Sequence, residues 1–278
     1  MERLLLVAVL TAVIHMINTL IYSVRVAGVR TGRLATALSM FNVIFLLSST
    51  ANMIQGPLLA TIVETAIKKG GQNVLGQVYQ EQLATLNIDI RLVILAATLG
   101  TLVGAILIPS FVKIFVKAIA VFGQVGSVPR MLFMIVFTPR KFGELSGATL
   151  AGPLSSGVGV KYTGIPRVLL ISNVLVTGIF TTGVLSALYA GALYPDYRVA
   201  ATLMASIVNG VAQVLFATVV DPTAARITDQ SLQGERAEGD VRRMAYYLAA
   251  TRLAGTLLAQ LIFIPAAYVI RYAAVIIT

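Results

Sequence analysis

The sequence predicts an all-α polytopic membrane protein. Six transmembrane helices form two inverted-topology three-helix repeats, with interfacial helices between them. Three observations carry this expectation. The chain is 58% hydrophobic and only 12% charged, against roughly 25% charged residues in a soluble domain. Several apolar runs reach about 18–22 residues, the length that crosses a bilayer. Two stretches of the chain also align on one another without a gap.

The spans follow in order. Span 1 runs from about Leu4 to Val24 and span 2 from about Leu34 to Ala60. A polar segment, about Thr61 to Asp89, precedes span 3, about Leu92 to Phe111. The region from about Val112 to Arg167 opens VKIFVKAIAVFGQVGSVPRMLFMIVF and continues into a Gly/Ser-rich tract. Its apolar first part is broken by Lys113, Lys117 and Arg130, which suits helices lying at the interface. Its second part reads as a flexible linker or a substrate-facing loop. Spans 4, 5 and 6 follow at about Val168–Leu188, Val199–Val220 and Tyr246–Ile270. The expected organisation is a first repeat over 1–111, an interfacial and linker region over 112–166, and a second repeat over 167–278. MERLLLVAVLTAV resembles a signal peptide only superficially, because its start is nearly neutral and no A-x-A site follows. It reads as a retained first span.

Charge sets the orientation. The first, third and fifth loops carry fourteen Lys and Arg, and the opposite side carries six. The richer side is expected in the cytoplasm, with both termini outside. The net charge of +10 would suggest nucleic acid in a soluble protein. Here the bases cluster between spans and point to anionic headgroups instead. The chain has no cysteine and one histidine, which excludes thiolate chemistry, disulfides, Cys-ligated zinc and a multi-His metal site within one chain.

The repeat rests on several anchors. Arg33 to Pro57 lies over Arg198 to Pro222, Arg on Arg and Pro on Pro, and Glu64 then falls on Asp229. Ala27-Gly28 matches Ala190-Gly191, allowing two extra residues. LAAT, GTL and IP recur in the same order at 95–109 and 248–265. Three spans per repeat force the second copy upside down, an arrangement common in alternating-access transporters.

The candidate site residues are polar side chains inside these spans. Thr11, His15, Asn18, Tyr22 and Arg25 recur at spacings of four and three, one stripe of a helix. Polar groups in a membrane segment avoid lipid by facing a bundle interior or a watery cavity. Their bland alternatives are interhelical hydrogen bonds for His15 and Asn18, and snorkelling to the interface for Arg25. Span 2 offers Asn42, Ser49, Asn52 and Gln55 and ends TANMIQGP, where Gly56-Pro57 suggests a frayed or broken helix. Span 5 carries Thr202, Ser206, Asn209 and Gln213. Span 6 carries Arg252, Thr256 and Gln260, with Arg252 read either as an anion ligand or as a structural partner of Glu64, Asp229 or a helix C-terminus. A guanidinium grips phosphate through two parallel hydrogen bonds. Arg30 and Arg33 in the first loop either admit the same headgroup or serve orientation alone. Gly100, Gly104, Gly178 and Gly183 are expected to permit close helix contact.

No phosphate-binding G-x-x-x-x-G-K-[ST] loop is present, so ATP is not bound that way. No H-E-x-x-H, G-x-S-x-G or paired-carboxylate constellation lies in a span. This argues against an intramembrane protease or lipase.

The stretch YSVRVAGVRTGRLATALSMFNVIFLLSSTANMIQGPL resembles the signature of the Amj family, the alternate lipid II flippases of bacteria. The resemblance runs from Thr11 to the C-terminus and is most specific between Tyr22 and Pro57. It implies movement of undecaprenyl-pyrophosphate-linked peptidoglycan precursor from the inner to the outer leaflet, with lipid II and membrane lipids as partners, no nucleic acid and no cofactor. On that expectation Arg252, Arg25, Arg30, Arg33, His15, Asn18, Asn52, Gln55, Asn209, Gln213 and Gln260 form the substrate site. The rival readings are a polyprenyl-pyrophosphate phosphatase, a small-molecule exporter and a structural membrane subunit. A homo-oligomer is a further option.

Overall fold

A computed structural model describes residues 2–127, 130, 137 and 164–277. Six stretches are long and apolar enough to cross a membrane. The chain is therefore a multi-pass membrane protein, helical and without a strand among the described residues. Helix α1 spans Glu2–Thr31, α2 Leu34–Gly70 and α3 Gln77–Val125. Helix α4 spans Arg167–Leu193. A 3-10 turn, Pro195–Tyr197, leads into α5, Arg198–Leu215. A π turn, Phe216–Val220, joins α5 to α6, Asp221–Leu232, so one arm runs unbroken over 195–232. Helix α7 spans Glu238–Ile277.

Three expectations change here. The helices overrun the expected spans: α3 alone has 49 residues, roughly 73 Å at the helical rise, more than twice a hydrocarbon core. Most of the expected polar segment, and residues 112–125 of the expected interfacial region, are ends of α2 and α3. Hydrophobic length marks only the part of a helix inside lipid; charged turns continue the same helix into water or headgroups. The remainder of the expected interfacial and linker region lies mostly outside the described residues. Third, α2 is continuous through Pro57, so TANMIQGP is not a broken end. Proline removes one amide donor and crowds the turn before it. The flanking turns hold, and Thr61 Oγ1 donates to the Pro57 carbonyl at 2.8 Å. The irregular turn falls instead in the α5–α6 arm. There the Asp221 amide donates to the carbonyl of Phe216, five residues back.

The packing has two centres. Helix α1 lies against α2 and α3, while α4 lies against α5 and α7. The halves join mainly along α3, α7 and α1. Close approach is set by glycine. A methyl on Gly100 of α3 would strike the backbone of Ala12 in α1. One on Gly255 of α7 would stand 2.6 Å from the Val174 carbonyl in α4. Gly32, at φ 64, supplies the left-handed residue that turns the chain between α1 and α2.

Core clusters show which helix ends meet. At the end holding both termini, Val7, Leu59, Val63, Ala201 and Ile270 belong to one cluster with the start of α3 and the end of α4. At the opposite end there are two. One joins α1 to the start of α2 and the end of α3 through Val24, Phe41 and Phe115. The other joins Val26, Leu169, Ala224 and Met244 of α1, α4, α6 and α7. Thus α2 and the α5–α6 arm share a core at the termini end and have separate cores at the loop end.

Candidate functional site

The α1 stripe is an axis from which polar contacts radiate to different helices. Thr11 is buried and accepts a hydrogen bond from Gln55 Nε2 of α2 at 2.6 Å. Asn18 Oδ1 accepts one from Ser48 of α2 at 3.3 Å. His15 Nδ1 lies 3.5 Å from the Thr101 hydroxyl of α3. Tyr22 donates to Asn173 Oδ1 of α4 at 3.2 Å. The Asn173 amide then donates to the Leu248 carbonyl and the Thr251 hydroxyl of α7, both at 2.9 Å. The stripe closes a polar seam between helices. These bonds are worth about 0.6–2 kcal/mol each inside a membrane.

At the loop end the seam becomes ionic. Arg25 pairs with Asp221, the first residue of α6. Arg30 directs Nε and Nη2 at Glu238 Oε1, at 2.9 and 2.6 Å, across to the start of α7. Arg25 is therefore held by a specific carboxylate rather than by snorkelling alone. Arg33 is exposed, with its guanidinium over Gly123 of α3.

Two arginines lie within the apolar helices, and they differ. Arg91 of α3 is held by several groups of its own chain. Its Nη1 donates to the carbonyl and side-chain oxygen of Gln260 at 3.0 and 3.3 Å. Its Nε donates to Asn87 at 2.8 Å, and Gln260 Nε2 returns a bond to the Arg91 carbonyl at 2.9 Å. Its guanidinium also lies 5.9 Å from the centre of the Phe263 ring. Arg252 of α7 is half-buried, and its Nε is buried with no hydrogen-bond partner among the described residues. It stands within electrostatic range of His15. Glu64, one of its expected partners, instead pairs with Arg198 at 3.1 Å. Counted from the loop ends of α1 and α7, His15 and Arg252 lie at similar depths, roughly 24 and 21 Å. A guanidinium with an unmet donor at that depth is costly. An anionic oxygen is the group that would satisfy it.

The remaining expected residues divide. Gln55 and Gln260 are engaged as described. Asn209 of α5 is half-buried and turned onto Gly183 of α4, its Oδ1 buried with no partner among the described residues. Asn52 and Gln213 are exposed, on helices whose outer faces carry Leu46, Met53, Leu203 and Ile207. Sequence reasoning did not single out Thr101, Asn173 or Ser48, and it counted Arg91 among the loop bases. The signal for Asn173 was present: an amide inside a membrane-spanning helix needs a partner.

A helical multi-pass membrane protein with a polar seam along its first helix and an arginine midway along the helices is the class these features define. The chain belongs to the Amj family: the family described as Amj, Alternate to MurJ, matches residues 10–274. It is 35% identical over 259 residues to the Lipid II flippase Amj of Bacillus subtilis (strain 168), covering 93% of this chain and 92% of that protein. No solved structure matches the chain.

Proposed function

We propose that this protein is a lipid II flippase of the bacterial plasma membrane. It moves undecaprenyl-pyrophosphate-linked precursor from the inner to the outer leaflet by alternating access, without ATP. The similarity to the Bacillus subtilis flippase over nearly the whole of both chains carries the substrate. The unmet Nε of Arg252, within electrostatic range of His15, supports placing the pyrophosphate between α1 and α7. The charged headgroup crosses along the polar seam while the prenyl tail stays in lipid. Arg25 and Arg30, engaged by Asp221 and Glu238, tether α1 to α6 and α7 at the loop end. The asymmetry of Lys and Arg supports that end as cytoplasmic, with both termini outside.

Two inverted repeats, 1–111 and 167–278, give the movement its symmetry. Gly100 on α1 and Gly255 on α4 are supporting contacts, because the repeat register pairs these glycines and their target helices. An inside-negative potential favours anion export by ~2.3 kcal/mol per charge per 100 mV.

The test is a leaflet assay with labelled lipid-linked precursor in proteoliposomes. Protein-dependent appearance of label in the opposite leaflet, with no phosphate released, is the expected result. Phosphate release would assign a pyrophosphatase, and no transfer above empty vesicles would reject the flippase.

A further inference from the structure

The register that lays Arg33 on Arg198 also lays Glu64 on Asp229. The two ion pairs that this register relates are Arg198–Glu64 and Arg33–Asp229, and in the structure the first is made. Arg198, the first residue of α5, bonds Glu64 of α2 at 3.1 Å and ties the two arms together at the termini end. Its counterparts stand apart. Arg33 immediately precedes α2 and is exposed. Asp229 is exposed on α6 and in no ion pair among the described residues. The core follows the same pattern: the arms share a cluster where Arg198 meets Glu64 and separate where Arg33 and Asp229 lie.

A protein built from inverted repeats reaches its second state by exchanging the conformations of the two halves. Each contact between the arms at one end then has a mirror contact at the other. We infer that Arg33 and Asp229 form an ion pair in the opposite state, a latch made as Arg198–Glu64 breaks. This rests on the alternating-access reading. A second asymmetry agrees with it. Ser48 of α2 is 2% exposed and bonded to Asn18 of the central helix, whereas its register counterpart Gln213 of α5 is exposed. At this register position one arm meets its central helix and the other faces outward, as expected of a structure caught in one of two mirror-related states.

The chain has no cysteine, so paired cysteines can be introduced without background. Glu64→Cys with Arg198→Cys should cross-link readily in membranes through a short bis-methanethiosulfonate, each thiolate forming a disulfide as methanesulfinate leaves. Arg33→Cys with Asp229→Cys should cross-link as well, more slowly. Either cross-link should arrest precursor transfer until reduced. In a separate set, Arg33→Glu or Asp229→Arg alone should slow transfer about twofold to fivefold, the scale of one exposed pair, and the two together should restore it. Cross-linking of the first pair but never of the second overturns the latch and leaves the flippase reading intact. Cross-linking of both with no transfer by the unmodified protein keeps the latch and rejects the flippase.

Discussion

Arg91 and Arg252 pose the same physical problem and receive opposite treatment. Both are guanidinium groups on long apolar helices, where a central arginine costs at least ~2.5–3.5 kcal/mol. Around Arg91 the protein supplies Gln260, Asn87 and the Phe263 ring, and Gln260 returns a bond to the backbone. Around Arg252 it leaves Nε without an acceptor and places a histidine in range. A charge whose donors are met by its own chain holds helices together. A charge left with a free donor is poised for something that is not part of the chain.

The largest expected effect separates the two functionally. Arg252→Ala should lower precursor transfer by about tenfold to a hundredfold, the worth of ~1.5–3 kcal/mol of charged hydrogen bonding. Its thermal stability in detergent should stay unchanged or rise, since an unmet buried donor is removed. Arg91→Ala should do the reverse. Leaving Gln260 Oε1 and Asn87 Oδ1 without their guanidinium donor should cost about 1–3 kcal/mol of stability, read as a lower melting temperature, while transfer per folded molecule is largely kept. Loss of transfer without loss of stability in Arg91→Ala would dissolve the distinction.

Smaller effects sharpen the scaffold behind it. Gly100→Ala forces a methyl against the Ala12 backbone and should cost about 1–3 kcal/mol. Gly178→Ala meets only ordinary contacts at 3.4–3.5 Å and should be silent in the same melting experiment. Asn52→Ala and Gln213→Ala remove exposed side chains and should shift stability by no more than ~0.5 kcal/mol.

The six spans were legible because lipid-crossing length leaves a long apolar run that nothing else in a chain requires. The stripe on α1 was legible too, since spacings of four and three place His15 and Asn18 on one face whatever surrounds them. What each member touches was not. Thr11, His15 and Tyr22 bond to α2, α3 and α4 respectively, and helix adjacency is a tertiary fact with no local signature. Arg91 was assigned to a loop because a charge conventionally ends a hydropathy window. Its helix runs on past it in both directions. Pro57 misled for a related reason: a proline weakens a long helix locally, and neighbouring turns decide whether it ends.

The most direct test of the central claim compares unmodified protein, Arg252→Ala and Arg252→Lys in one leaflet assay, at equal reconstituted amounts of folded protein. The account predicts near-complete loss of precursor transfer for Arg252→Ala. It predicts partial activity for Arg252→Lys, whose ammonium keeps the charge and loses the fork. Transfer by Arg252→Ala at the unmodified rate would show that the free donor on α7 plays no part in carrying the headgroup.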